Sequence, residues 1–138
     1  MALAERKTAA WHMYAAVGGF GVLGAWSRYF ISILANGRYV SDFPWGTLLC
    51  NIAGSYVLAK ILLGGALPLA NKPWLRIGLT TGFLGSFTTF SAFSVETVSL
   101  LTEQHYALAA AYAGLSLAGG MAAARMGARR GRAAGGAS

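Results

Sequence analysis

Residues 82–96 read Gly-Phe-Leu-Gly-Ser-Phe-Thr-Thr-Phe-Ser-Ala-Phe-Ser-Val-Glu, and this stretch decides how the rest of the chain is interpreted. Its fifteen positions hold four phenylalanines, two glycines and five hydroxyl side chains. The stretch is too apolar for a soluble loop and too polar for a lipid-facing helix. Backbone without helical hydrogen bonds survives in a membrane only where it is buried in protein or lines a cavity. The stretch therefore predicts a membrane helix with one polar side and a broken centre.

Charged residues are few and leave long gaps in the chain. They make up 11% of the 138 residues, whereas a soluble domain carries about 25%. Four runs of 20, 17, 19 and 21 residues carry no formal charge, at 8–27, 43–59, 77–95 and 104–124. A spanning helix needs about 20 apolar residues. We therefore predict an all-α membrane protein with one four-helix transmembrane domain at 1–126. Its spans are expected at about 11–35, 44–69, 75–101 and 105–126, followed by a basic flexible tail at 127–138.

The net charge of +7 is concentrated beside the predicted spans. Four spans place both termini on one side of the membrane, with eight cations there and Arg38 alone on the other. This bias favours termini in the cytoplasm and contact with anionic lipid over nucleic-acid binding. We expect a multi-pass protein of the cell inner (plasma) membrane.

Polar side chains in the first two spans each admit two interpretations. Gly21, Gly24 and Arg28 share one helix face, so the glycines could serve close packing while Arg28 reaches the interface. Alternatively, Arg28 could stand in a vestibule and raise the local anion concentration. Asn51 could bond a neighbouring helix, or its amide could donate to an anion.

The third and fourth spans add hydroxyls, aromatic rings and one acid. Glu96 is the only acidic residue inside a predicted span, whereas a cation pathway would require acidic rings. Tyr112 and Ser116 lie four residues apart on one face of the fourth span. Hydroxyl and amide donors and the positive edges of aromatic rings favour an anion. The sequence shows no Walker motif, no Cys/His metal spacing and no Ser-His-Asp set, so we expect no enzyme activity.

Three segments of the sequence together resemble the CrcB/Fluc family of microbial fluoride channels. They are Gly-Ala-Trp-Ser-Arg-Tyr at 24–29, Gly-Thr-Leu-Leu-Cys-Asn-Ile-Ala-Gly-Ser at 46–55 and the opening stretch extended to Thr97. The fourth span, with Tyr-Ala-Gly-x-Ser at 112–116, agrees with the family in character. The resemblance implies a passive fluoride exporter. It also implies an antiparallel, dual-topology homodimer with a broken third helix and two pores along the subunit interface.

The same resemblance implies roles for individual residues. Asn51 would donate to fluoride in a vestibule that also holds Arg28, and Phe90 and Phe93 would present their ring edges to the anion. Hydroxyl donors along the path would come from Thr47, Tyr112 and Ser116, with Glu96 near its far end. Carbonyls of Gly85 and Thr88 at the helix break would hold a central structural Na+.

The loop charges leave the orientation of the subunit open. Dual topology predicts balanced charges, whereas eight cations face one, or four face one without the tail. Either the bias is too weak to fix the orientation, or an inverted paralogue is the partner.

Two other functions remain as alternatives to a fluoride channel. A small dual-topology proton-coupled multidrug or cation antiporter would need a central carboxylate in the first span, which has none. A membrane subunit without transport activity would leave the Thr-Thr-Phe-Ser cluster at 88–91 unexplained.

Overall fold

The computed structural model describes the backbone of residues 2–38, 42–63 and 72–135, which is mostly helical and contains no β-strand. A π-helix, Gly78–Leu84, interrupts the series of α-helices. The α-helices are α1 Ala2–Arg38, α2 Trp45–Leu62, α3 Pro73–Ile77, α4 Gly85–Phe87, α5 Phe90–Thr102 and α6 Tyr106–Gly135. Residues 73–102 are called the segmented helix below. The predicted all-α class is confirmed, and the four predicted spans correspond to α1, α2, the segmented helix and α6.

Three of the helices are long and apolar enough to cross a membrane, over Trp11–Gly37, Trp45–Leu62 and Tyr106–Arg129. The predicted span at 75–101 falls on the segmented helix, whose longest piece, α5, has 13 residues. By length and composition the chain is therefore a multi-pass membrane protein.

Three helix boundaries differ from the sequence-based expectation. The first span was expected to begin at about residue 11, whereas α1 begins at Ala2. The second span was expected to reach residue 69, whereas α2 ends at Leu62 and residues 64–71 lie outside the described part of the chain. The fourth span was expected to end at residue 126, whereas α6 continues to Gly135. Helix thus extends through most of 127–138, because alanine and arginine both favour helix over coil.

Close packing between helices depends on two glycines of different helices. A Cβ added at Gly24 of α1 would overlap the Phe83 carbonyl oxygen in the π-helix. A Cβ added at Gly54 of α2 would overlap the Cγ2 methyl group of Thr88. Both helices therefore approach the segmented helix at backbone distance, as small residues allow in membrane proteins.

Backbone between α4 and α5 is extended for two residues. The helix ends at Phe87, and Thr88 has φ −87° and ψ 150°. Thr89 has φ −148° and ψ 126°, after which α5 begins at Phe90. These two residues are called the extended pair below. The Thr88 amide still donates to the Leu84 carbonyl at 3.0 Å, so the groups left without a helical partner are the Thr88 carbonyl and the Thr89 amide.

Candidate functional site

Asn51 of α2 bonds the extended pair with both ends of its side-chain amide. Its Nδ2 donates to the Thr89 carbonyl at 3.0 Å, and its Oδ1 accepts from the Thr89 amide at 2.8 Å. A carboxamide presents one donor and one acceptor side by side, so it can pair with a single extended residue in this way. Asn51 therefore supplies the acceptor that the Thr89 amide lacks, and it adds a donor to the carbonyl at which α5 begins.

The start of α5 is capped by the second residue of the extended pair. Thr89 Oγ1 accepts from the Ala92 amide at 3.2 Å, which is the usual role of a threonine at a helix N-cap. In an unbroken helix, the amides of Thr89 and Ala92 would instead bond the carbonyls of Gly85 and Thr88. Both carbonyls have therefore lost their helical donors to side chains.

Arg28 of α1 contacts the segmented helix just before the extended pair. Its Nε donates to the Ser86 carbonyl at 3.2 Å, and the residue is half-buried. In an unbroken helix this carbonyl would accept from the amide of Phe90. The guanidinium thus supplies a donor where the helix supplies none.

A pocket of about 300 Å³ opens beside the extended pair and holds several of the predicted site residues. Its lining consists of Asn51, Gly54, Ser55, Leu58, Thr88, Thr89, Phe90, Phe93, Ser116 and Leu117. Ser116 Oγ is the buried side-chain polar atom without a hydrogen-bond partner among the described residues. A buried hydroxyl that lacks a partner costs about 1–3 kcal/mol, so this one is available to a ligand in the pocket.

Glu96 of α5 accepts two short hydrogen bonds from hydroxyl groups of other helices. The Thr47 hydroxyl donates to Oε1 at 2.7 Å, and the Tyr112 hydroxyl donates to Oε2 at 2.6 Å. Thr47 and Tyr112 are buried, with exposed fractions of 3% and 0%. These bonds join α2, α5 and α6, and they engage the protons of two of the three hydroxyls expected along the anion path.

Aromatic rings connect the pocket to the Glu96 cluster. The ring centroids of Phe90 and Phe93 are 5.7 Å apart, and those of Phe93 and Tyr112 are 5.2 Å apart. The Phe93 ring lies between the pocket and the buried tyrosine, whereas the Phe90 side chain is 79% exposed. The described part of this chain therefore leaves most of the Phe90 ring uncovered.

The predicted site residues fall into three groups in the structure. Asn51, Phe90, Phe93, Ser116 and Thr88 meet at the pocket. Thr47 and Tyr112 meet at Glu96, and Arg28 lies apart from both groups, at Ser86 next to Gly85.

Sequence reasoning missed the structural roles of Thr89 and Ser86. A threonine that ends a glycine- and hydroxyl-rich run and precedes an apolar helix is the usual signal of an N-cap, and it could have identified Thr89. Ser86 acts through its backbone carbonyl, which accepts from Arg28, and a pattern of side chains does not predict such a contact.

The chemistry of the pocket suits an anion better than a metal cation held by side chains. None of the described lining residues is acidic, and the lining offers hydroxyl groups, a carboxamide and aromatic edges. Over the described ranges no group of three or more His, Cys, Asp or Glu is positioned to hold a metal ion. Any cation at the helix break would therefore depend on backbone oxygens.

Comparisons with known proteins assign the chain to a family. Residues 15–128 match the family described as CrcB-like protein, Camphor Resistance (CrcB). A Fluoride-specific ion channel FluC of Bordetella bronchiseptica is 44% identical over 109 residues, covering 79% of this chain and 83% of that relative. Fluoride-specific ion channel FluC 2 of Geobacillus kaustophilus is 41% identical over 111 residues, covering 80% and 86%. Fluoride-specific ion channel FluC 1 of Moorella thermoacetica is 46% identical over 110 residues, covering 80% and 77%.

Proposed function

The chain belongs to the CrcB-like family of fluoride ion channels, and on this premise we propose that it is a passive, fluoride-selective channel that exports fluoride from the cytoplasm. Members of this family are not enzymes, and neither is this chain. The proposed location is the cell inner (plasma) membrane.

The observation that carries the proposal is the unpartnered hydroxyl of Ser116 in the pocket. Its Oγ is buried without a hydrogen-bond partner among the described residues, next to the Asn51 amide and the rings of Phe90 and Phe93. Hydrogen bonds from neutral donors to a charged group are worth about 1.5–3 kcal/mol each. Several such donors around a small site would offset part of the dehydration cost of fluoride.

The Asn51 amide has a second N–H beyond the one that Thr89 accepts. One Nδ2–H donates to the Thr89 carbonyl, and an amide nitrogen carries two. Because the first bond fixes the orientation of the amide, the second N–H would donate to fluoride from a preorganised position.

The Glu96 cluster would form the far part of the proposed path. Thr47 and Tyr112 donate to the Glu96 carboxylate, so neither proton is available to fluoride in this arrangement. Fluoride would pass this point only if a hydroxyl turned away from the carboxylate and donated to the anion instead. We propose that such an exchange of hydrogen-bond partners accompanies each passage.

A second copy of the chain is proposed to complete each path. Phe90 is 79% exposed, and Val95 and Val98 on the same helix are 66% and 59% exposed. An antiparallel homodimer would cover this face and bring Phe90 of one subunit to a pore that includes Phe93 of the other. An inverted paralogue would serve the same purpose if the loop charges fix a single orientation.

A structural Na+ is proposed at the helix break. The carbonyls of Gly85 and Thr88 fit this role because their helical donors bond Asn51 and Thr89 Oγ1 instead. Na+ is a hard cation and takes oxygen ligands. A cation there would lower the cost of bringing an anion into a low-dielectric site.

The test is ion efflux from liposomes that contain the reconstituted protein. Fluoride- and chloride-selective electrodes follow the efflux with and without a proton gradient. The proposal predicts fast fluoride efflux that needs no proton gradient, with no chloride efflux. Fluoride movement that occurs only under a proton gradient would overturn the proposal of a passive channel.

A further inference from the structure

Polar side chains from two helices hold the extended pair and its flank from different sides. Arg28 of α1 donates to the Ser86 carbonyl at 3.2 Å. Asn51 of α2 bonds the amide and the carbonyl of Thr89 at 2.8 and 3.0 Å. Ser86 lies two residues before the extended pair, and Thr89 is its second member. The backbone between these contacts contains the Thr88 carbonyl.

Each of these helices also brings a glycine to the same region. Gly24 lies one turn before Arg28 and sits against the Phe83 carbonyl oxygen, where a Cβ would overlap it. Gly54 lies about one turn after Asn51 and sits against the Thr88 methyl group. The close approach that glycine permits is what lets side chains on α1 and α2 bond backbone atoms of the segmented helix.

The hydrogen bonds divide the backbone groups near the extended pair into two sets. Asn51 and Arg28 satisfy the amide and carbonyl of Thr89 and the carbonyl of Ser86. The carbonyls of Gly85 and Thr88 have lost their helical donors to the bonds that Thr89 and Ala92 make elsewhere. An unsatisfied carbonyl in the membrane interior costs several kcal/mol, which favours a cation as its partner.

We infer that Arg28 and Asn51 are positioning residues that hold the Gly85 and Thr88 carbonyls in place and thereby set the affinity of the chain for Na+. The inference rests on the cation site of the proposed function. Fixed oxygens bind a cation more tightly than mobile ones because less ordering is needed on binding. Arg28 contributes through the position of Ser86 and not through its charge, since a guanidinium near a cation repels it.

A positioning role predicts that loss of Arg28 weakens Na+ binding, whereas charge repulsion predicts that its loss strengthens Na+ binding. One measurement of Na+ affinity therefore separates the two. We would measure equilibrium binding of ²²Na⁺ to the purified protein, with incubation long enough for a trapped ion to exchange. Arg28→Gln and Asn51→Leu should each raise the Kd for Na+ at least tenfold. Lys60→Gln removes a cation from α2, and Thr97→Val removes a hydroxyl that bonds only within α5, so both controls should leave the Kd unchanged.

Three results would overturn the inference. They are tighter Na+ binding by Arg28→Gln, an unchanged Kd in both positioning variants, or no ²²Na⁺ binding by the wild-type protein. If Arg28→Gln does not fold, Arg28→Lys serves, because it keeps the charge but loses the Nε donor. Hydrogen–deuterium exchange of residues 88–92 provides a second measurement, and it should be faster in Asn51→Leu than in wild type.

Failure of this inference can be told apart from failure of the proposed function. Neither Na+ binding nor amide exchange requires anion flux, and flux is measured separately in liposomes. If both positioning variants raise the Kd for Na+ but the wild-type protein gives no fluoride efflux, the proposed function fails and the inference stands. If the wild-type protein gives fluoride efflux but both positioning variants leave the Kd for Na+ unchanged, the inference fails and the proposed function stands.

Discussion

Asn51 and Thr89 form a two-bond pair between α2 and the segmented helix, at 3.0 Å from Nδ2 to the carbonyl and 2.8 Å from the amide to Oδ1. The pair occupies both backbone groups of a residue that lies outside helical geometry. It also takes the amide that would otherwise bond the Gly85 carbonyl. One side chain therefore stabilises the non-helical backbone and leaves an oxygen available beside it.

Asn51→Asp should abolish fluoride efflux while the protein keeps its oligomeric state. The carboxylate can still accept from the Thr89 amide, but it loses both N–H donors and places negative charge beside the Thr89 carbonyl. Liposome efflux and size-exclusion chromatography provide the measurements. Asn36→Asp is the matched control, because Asn36 uses only Oδ1, as acceptor from the Gly46 amide. Wild-type efflux in Asn51→Asp would remove Asn51 from the path.

Phe90→Ile should also abolish efflux without dissociating the oligomer. Isoleucine keeps an apolar side chain but lacks the positive ring edge proposed to contact the anion. Phe30→Ile makes the same change at another exposed ring, on α1, and should conduct normally. Fluoride efflux from liposomes containing each variant decides the matter, and equal efflux from both would contradict the proposed role of Phe90.

Ser116→Ala should lower fluoride efflux roughly tenfold or more without lowering the melting temperature. One hydrogen bond to a charged group contributes about 1.5–3 kcal/mol, whereas a buried hydroxyl with no partner among the described residues lowers stability, so its removal should not destabilise the protein. Ser94→Ala is the control, because its hydroxyl already donates to the Phe90 carbonyl. A destabilised protein with normal efflux would mean that Ser116 is structural.

Tyr112→Phe and Glu96→Gln should be coupled in their effects on stability. Tyr112→Phe removes a 2.6 Å bond to the carboxylate and should lower the free energy of unfolding by about 1–3 kcal/mol. Because both changes disrupt one contact, the double variant should lose less stability than the sum of the single variants. Thermal unfolding in detergent measures all three. Additive losses would show that the contact contributes little.

Gly24→Ala should destabilise the protein, whereas Gly18→Ala should not. A Cβ at Gly24 meets the Phe83 carbonyl oxygen, while a Cβ at Gly18 has no neighbour within 4 Å. Overpacking costs about 1–3 kcal/mol, and alanine in an open helix position gains up to about 1 kcal/mol over glycine. Melting temperatures of the two variants should therefore move in opposite directions. If both melting temperatures moved in the same direction, α1 would not approach the π-helix this closely.

The membrane character and the helical class could be read from the sequence because they depend on local composition. The uncharged runs are long enough to cross a bilayer, and a helix makes its backbone hydrogen bonds internally wherever lipid surrounds it. Helix ends were less predictable, as α6 shows by continuing to Gly135. At 127–135 alanine and arginine favour helix whereas three glycines disfavour it, so the composition alone did not predict where the helix ends.

The partners of the site residues could not be predicted in the same way. Thr47 and Glu96 are 49 residues apart in sequence, and Arg28 and Ser86 are 58 apart. Helical periodicity reports which residues share a face, but not which face meets which neighbour. For this reason the sequence did not show that the hydroxyls of Thr47 and Tyr112, which the family resemblance places along an anion path, both donate to Glu96.

Three properties follow from the sequence without reference to the fold: helices that span a membrane, polar side chains rich in hydrogen-bond donors, and the family, through the segments around Arg28, Asn51 and residues 82–97. Hydropathy, helix length and side-chain chemistry are properties of each segment, so no contact between segments was needed. The folded arrangement was needed to show that Asn51 bonds Thr89, that Arg28 bonds Ser86 and that the Ser116 hydroxyl has no partner among the described residues. The two bonds follow from how closely α1 and α2 approach the segmented helix, and Gly24 and Gly54 permit that approach because a Cβ at either would overlap it.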